Sequence, residues 1–170
     1  MATPQHRWNH NNFAVAPEKL ALVRECIDAV FPWVRFVDKP HLLGYRLSDD
    51  LYEGALYFRP VPAVAELEKL LHELRRERPE LEGALAGIAR ADADYADHAG
   101  FRVASVAEWE ERVAAIARIA RERPEFELRV IDVLRPGDGR APAPDLYQAF
   151  VRIGLLGPLR NTFEMQAIAR

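Results

Sequence analysis

The phrase Asn9-His10-Asn11-Asn12-Phe13-Ala14-Val15 returns later in the chain as Asp97-His98-Ala99-Gly100-Phe101-Arg102-Val103. Both copies run Asn or Asp, His, any residue, Asn or Gly, Phe, any residue, Val, and a helical pattern follows each. Imidazole is the side chain in the phrase with the widest chemistry: it moves protons near neutral pH and ligates transition metals. A phrase that recurs in so short a chain points to a duplicated module. Two modules packed about a pseudo-two-fold axis bring equivalent positions together, so His10 and His98 are expected to face one another.

The elements that would carry these histidines repeat as well. Arg7 to Val15 reads as a strand ending at Ala16-Pro17, and Pro17 suits a first helical turn. Leu20, Val23, Ile27 and Val30 recur at helical spacing, and the helix is expected to stop near Phe31-Pro32. Trp33 to Val37, Leu42 to Leu47 and Gly54 to Arg59 are short strands, separated by Asp38-Lys39-Pro40 and Ser48-Asp49-Asp50. Residues 1–60 therefore form a first βαβββ module. Residues 61–96 read as a helical connection, with an amphipathic helix from Ala63 to Arg78 striped by Leu67, Leu70, Leu71 and Leu74, and a second short helix within Pro79 to Asp97. Residues 97–170 repeat the order. His98 to Val103 is a strand, and Ser105 with Glu108 forms a capping box for a helix from Val106 to Arg123. Phe126 to Leu134, Tyr147 to Leu155 and Thr162 to Ile168 are strands, with a long turn from Pro136 to Pro144.

Composition narrows the function classes. The 170 residues are 49% hydrophobic and 29% charged, with a formal net charge of −3, which fits a packed globular chain and excludes a basic nucleic-acid-binding face. The single cysteine, Cys26, excludes a disulfide framework and a multi-cysteine zinc site, and its helical setting marks it as a buried filler. The first twelve residues hold no apolar signal region, and no apolar run approaches the roughly 18 residues of a membrane helix. A soluble, cytoplasmic protein is expected.

The phrases "NHNNFAV" and "DHAGFRV", the ending "NTFEMQ" and the repeated element order resemble the vicinal oxygen chelate superfamily. That superfamily groups glyoxalases, bleomycin-resistance proteins, epimerases and extradiol dioxygenases. The resemblance runs from Trp8 to Ile168 apart from the connection. It implies an α+β fold in which two βαβββ modules form an open, metal-binding barrel. It also implies ligands on the first and last strands of each module, which places His10, His98 and Glu164 as metal ligands. Pairing Phe163-Glu164-Met165 with Leu56-Tyr57-Phe58 puts Tyr57 where relatives usually carry Glu or Gln. Tyr57 has three readings: a strand aromatic, a catalytic group that hydrogen-bonds substrate or metal-bound water, or a direct ligand whose phenol pKa of about 10 the metal must lower.

Two imidazoles and one carboxylate match the facial triad of Fe(II) oxygenases, so Fe²⁺ is favoured, with Mn²⁺, Zn²⁺, Ni²⁺ and Co²⁺ as alternatives. The first reading is thus a dioxygenase-like, metal-dependent enzyme that chelates a small-molecule substrate through vicinal oxygens, and by analogy a homodimer. A glyoxalase- or epimerase-type isomerase or lyase acting through a metal-stabilised enolate is the alternative, which Tyr57 opposes. A metal-free, bleomycin-resistance-type binding protein is a further alternative, and a partner-binding module using the Ala63 to Arg78 helix is another. Arg102 shares His98's alternation and is a candidate for an anionic substrate group. Trp8 shares His10's alternation and is a candidate cleft-lining residue. Glu164 is expected to face opposite to Phe163 and Met165. Tyr147 is a second candidate phenol, whereas His41 and His72 are read as bystanders.

Overall fold

The computed structural model describes residues 10–47, 54–90, 98–157 and 162–169. Trp8, the start of the first strand, the turn at Ser48-Asp49-Asp50 and Asp97 lie outside them. Internal packing divides the chain into two units, Met1–Ala65 and Glu66–Arg170.

In unit one, β1 (His10–Val15) is followed by a 3₁₀ turn at Pro17–Lys19 and by α1 (Leu20–Val30). Proline opens the turn without a side-chain cap, and the helix buries the stripe Leu20, Val23, Cys26, Ile27 and Val30. Three strands follow, β2 (Val34–Lys39), β3 (Leu42–Arg46) and β4 (Ala55–Pro60). They form one sheet in the order β1-β4-β3-β2, with β1 parallel to β4 and the other pairs antiparallel.

Two helices come next, α2 (Pro62–Glu77) and α3 (Pro79–Arg90), and the unit boundary falls within α2. Most of the leucine stripe of α2 is open to solvent: Leu67, Leu70 and Leu74 are exposed, and Leu71 is half-buried. α3 is a full helix in spite of Gly83 and Gly87.

Unit two repeats the arrangement. β5 (His98–Arg102) leads to α4 (Val106–Glu122), then to β6 (Leu128–Leu134), β7 (Leu146–Ile153) and β8 (Thr162–Ile168). The sheet order is β5-β8-β7-β6, again with the first strand parallel to the last. The capping box is formed: Ser105 Oγ accepts from the Glu108 amide at 3.1 Å, while the Glu108 carboxylate accepts from the Ala104 amide, one residue before the cap. α4 lies on β6, β7 and β8, and Trp109, fully buried, donates its indole N–H to the Met165 carbonyl at 2.9 Å. That bond ties the helix to the strand that carries Glu164.

Two strand ends differ from the sequence expectation for one local reason. Pro124–Phe126 forms a 3₁₀ turn, and Glu127 then takes a left-handed conformation at φ 49°, so β6 starts at Leu128 instead of Phe126. The Glu127 carbonyl accepts from the Gly154 amide, and a Cβ at position 154 would lie 2.7 Å from the Glu127 Cβ. Glycine is therefore required there, and the chain leaves β7 through a 3₁₀ turn at Gly154–Leu156 instead of continuing as strand to Leu155.

Candidate functional site

Alternation gives each sheet two unlike faces. In unit two, Phe163, Met165 and Ala167 of β8 and Ala149, Val151 and Ile153 of β7 are buried apolar residues on the face beneath α4. Tyr147 shares that face, its ring 5.3 Å from Trp109, and so lies opposite to the candidate phenol position. The other face collects polar groups. The register pairs His98 with Thr162, Gly100 with Glu164 and Arg102 with Gln166, and β7 sets Gln148 beside Gln166 and Phe150 beside Glu164.

Glu164 is the centre of this face. It is only 5% exposed, and a carboxylate so buried must be compensated by polar partners. Three side chains supply them. Oε2 lies 3.2 Å from His98 Nε2. Oε1 accepts from Gln148 Nε2 at 2.5 Å and from Gln166 Nε2 at 2.7 Å. The carboxylate fixes which way the Gln148 amide turns, since the reverse would set two oxygens against each other. The amide oxygen of Gln148 is consequently buried with no hydrogen-bond partner among the described residues, an arrangement that costs about 1–3 kcal/mol.

The surroundings hold this pair in place. The Phe150 ring meets His98 edge-on at 5.4 Å. Phe150 is itself packed with Leu134, Ile131 and Ala141. Ala141 belongs to the long turn after β6, which Arg140 secures by ion pairs to Asp132 at 2.7 Å and Asp138 at 3.2 Å. Arg152 and Arg129 pair across β7 and β6 on the His98 side of the face. Burial, and then the Arg129 charge, hold the Arg152 guanidinium below its ordinary range. Arg102 is exposed on the same face as His98 and Glu164.

In unit one the register is equivalent. His10 pairs with Ala55 and Asn12 with Tyr57, as His98 pairs with Thr162 and Gly100 with Glu164. Tyr57 therefore occupies the position of Glu164. Its ring meets His10 edge-on at 5.7 Å and Phe36 at 5.8 Å. A Cβ at Gly44 would lie 3.1 Å from the Tyr57 ring, so the neighbouring glycine makes its room. Asn12 accepts from Arg59 Nε at 3.3 Å. His41 and His72 are exposed and join neither group.

The structure thus brings His98 to Glu164 and His10 to Tyr57. Among the described residues, no group of three or more His, Cys, Asp or Glu side chains gathers to hold a metal. The unit-two pair fits two positions of one. Nitrogen and oxygen ligands about 2.1 Å from a metal and at right angles stand about 3 Å apart, close to the His98–Glu164 separation. Gln148, Gln166, Gly100 and Phe150 were not singled out from the sequence as site residues. The available signal was a glutamine immediately before the apolar run Ala149-Phe150-Val151, and another on Glu164's own alternation.

No protein-family model matches the chain, and no curated protein matches it. Solved structures do. A lactoylglutathione lyase from Agrobacterium tumefaciens is 14% identical, with 96% of this chain and 95% of that one covered at a TM-score of 0.52. A glyoxalase family protein from Bacillus anthracis is 9% identical, with 99% and 100% covered at 0.51. A glyoxalase/bleomycin resistance protein/dioxygenase from Nocardioides is 8% identical, with 99% and 87% covered at 0.51. The likeness is one of fold: the chain has the α+β vicinal oxygen chelate fold. Among the described residues no helix is long and apolar enough to cross a membrane.

Proposed function

We propose that the chain is a divalent-metal-dependent enzyme acting on a small molecule that presents two neighbouring oxygens, with dioxygenase-like chemistry. The observation that carries this reading is the His98–Glu164 pair, 3.2 Å apart on a polar sheet face, with the carboxylate oriented by two amides. His10 is proposed as the third ligand, because it holds in unit one the register position that His98 holds in unit two. The proposed modules are residues 1–60 and 97–170, joined by the helical segment 61–96.

The metal, Fe²⁺ by preference for a two-histidine, one-carboxylate set, would supply a Lewis acid with open positions for substrate oxygens and O₂. The protein's own part is orientation. Glu164 would offer a carboxylate oxygen held at a fixed place, and His98 a ring nitrogen steadied by Phe150. Tyr57 is proposed to hydrogen-bond a substrate oxygen. Arg102 is proposed to pair with an anionic substituent of the substrate. Ring opening of a catechol-like compound puts both atoms of O₂ into the product and breaks one ring carbon–carbon bond, so it needs no external reductant. A cytoplasmic homodimer is part of the proposal.

Elemental analysis of the purified protein beside His98→Ala tests it. About one metal per chain in the wild type, lost in the variant, is the expected result. No metal in either, even after reconstitution with Fe²⁺, would sink the enzyme reading and leave a metal-free ligand-binding protein. With metal established, O₂ uptake on adding a catechol separates dioxygenation from isomerase or lyase chemistry, which consumes none.

A further inference from the structure

We infer that Gln148 and Gln166 are positioning residues that restrict Glu164 to metal ligation through one oxygen. The inference rests on the metal reading above and concerns how this chain prepares its carboxylate.

The two oxygens of Glu164 are treated differently by the fold. Oε1 accepts from both glutamine amides, at 2.5 and 2.7 Å, and these bonds engage both of its lone pairs. Oε2 faces His98, and it is bordered by Gly100, where a Cβ would stand 3.2 Å away. The amides thus close one side of the carboxylate, and a glycine keeps the other side clear. The donors come from two strands: Gln166 is two residues along β8 from Glu164, and Gln148 lies on the adjacent β7. Rotation of the carboxylate about its last bond therefore breaks bonds to two elements at once.

Gln148 also shows that this holding is not ordinary core packing. It is 4% exposed, and its amide oxygen has no hydrogen-bond partner among the described residues. Its one described side-chain hydrogen bond runs to Glu164. Its neighbours in sequence, Ala149, Phe150 and Val151, are all apolar and fully buried. A side chain selected for packing alone would be apolar here too. Glu164 is accordingly a fixed, one-oxygen donor that stays in place through a reaction, and proton transfer during turnover falls to other groups.

Co²⁺ is the probe, because its visible absorption reports both occupancy and coordination. The wild type is titrated with Co²⁺ beside Gln166→Met and Gln148→Met, which keep approximate volume and remove the donor. The expected result is binding weaker by about 10- to 100-fold in each variant. An altered visible spectrum is also expected, as the released Oε1 joins the coordination. Thermal melts of the metal-free proteins run in parallel. A glutamine that only stabilises the fold would lower the melting temperature and leave affinity and spectrum at wild-type values, and that result overturns the inference while the metal reading stands. No Co²⁺ uptake by the wild type overturns the metal reading and this inference with it. Gln166 is only partly buried, so its variant carries the test if Gln148→Met does not fold.

Discussion

The two sheets share a register and differ in what they do with an aromatic ring. In unit two the ring belongs to Phe150 on β7, beside Glu164 on β8. In unit one it belongs to Tyr57 on β4, beside Gly44 on β3. Each ring meets its unit's histidine edge-on, at 5.4 Å from His98 and 5.7 Å from His10. The ring that packs the histidine has therefore changed strand between the units. Only in unit two does the exchange free the last-strand position for a carboxylate. Unit one repeats the architecture with its rung filled by phenol, and the Gln166 position is taken by Arg59, which donates to Asn12.

The comparison can be broken most severely where unit two is anchored. Trp109→Ala removes a fully buried indole and the bond to Met165, and is expected to cost about 3–5 kcal/mol in denaturant unfolding. A cost below about 1 kcal/mol would show that α4 does not hold β8. Next in size is conversion of unit two to the unit-one pattern. Glu164→Tyr is expected to weaken metal binding by at least about 100-fold, roughly 2.7 kcal/mol, and to crowd Phe150. Glu164→Tyr with Phe150→Gly should recover stability but not metal, read by melting and by Co²⁺ titration. Recovery of metal binding would mean that Glu164 is no ligand.

Smaller effects sharpen the unit-one side. Tyr57→Phe keeps the ring against His10 and removes only the hydroxyl. The expected outcome is a roughly tenfold loss of kcat with the metal content unchanged, the size of one lost hydrogen bond of about 1.4 kcal/mol. Unaltered kcat would make Tyr57 a packing residue. The smallest change concerns the helices. α4 begins with the Ser105–Glu108 box, whereas α1 is entered through the Pro17–Lys19 turn without a side-chain cap. Ser105→Ala should lower stability by about 1 kcal/mol. An unmoved melting curve would show that the box adds little beyond packing.

Much of this was legible from periodicity. Thr162–Ile168 is the strand the alternation predicts, and the same alternation separates Glu164 from Phe163 and Met165. The element order of both units follows from apolar spacing and proline. What the sequence hides are relations across strands. Nothing near Gln148 announces that its strand lies two places across the sheet from His98's strand. Nor does the sequence show the matching irregularities, one between Arg35 and Val37 and one between Val130 and Asp132, that occur at the same step of both sheets. Left-handed Glu127 and the glycine it needs at position 154 are legible only once the two are neighbours. Conversely, the leucine stripe of α2 is plain in sequence, yet Leu67, Leu70 and Leu74 stay exposed, because periodicity specifies a face and not what covers it.

The parallel pairing of β5 with β8 has a consequence for the order of assembly. His98 stands on the first strand of its sheet and Glu164 on the last, so α4, β6 and β7 all intervene in the chain. Parallel neighbours cannot zip from a hairpin; they wait for a long loop to close, the slow kind of contact. On a ribosome, the imidazole emerges well before its carboxylate. A nascent chain cut anywhere before β8 would hold its histidine without the group that completes the pair. Formation of the His98–Glu164 pair should thus come late and abruptly in synthesis, with the pairing of the last strand.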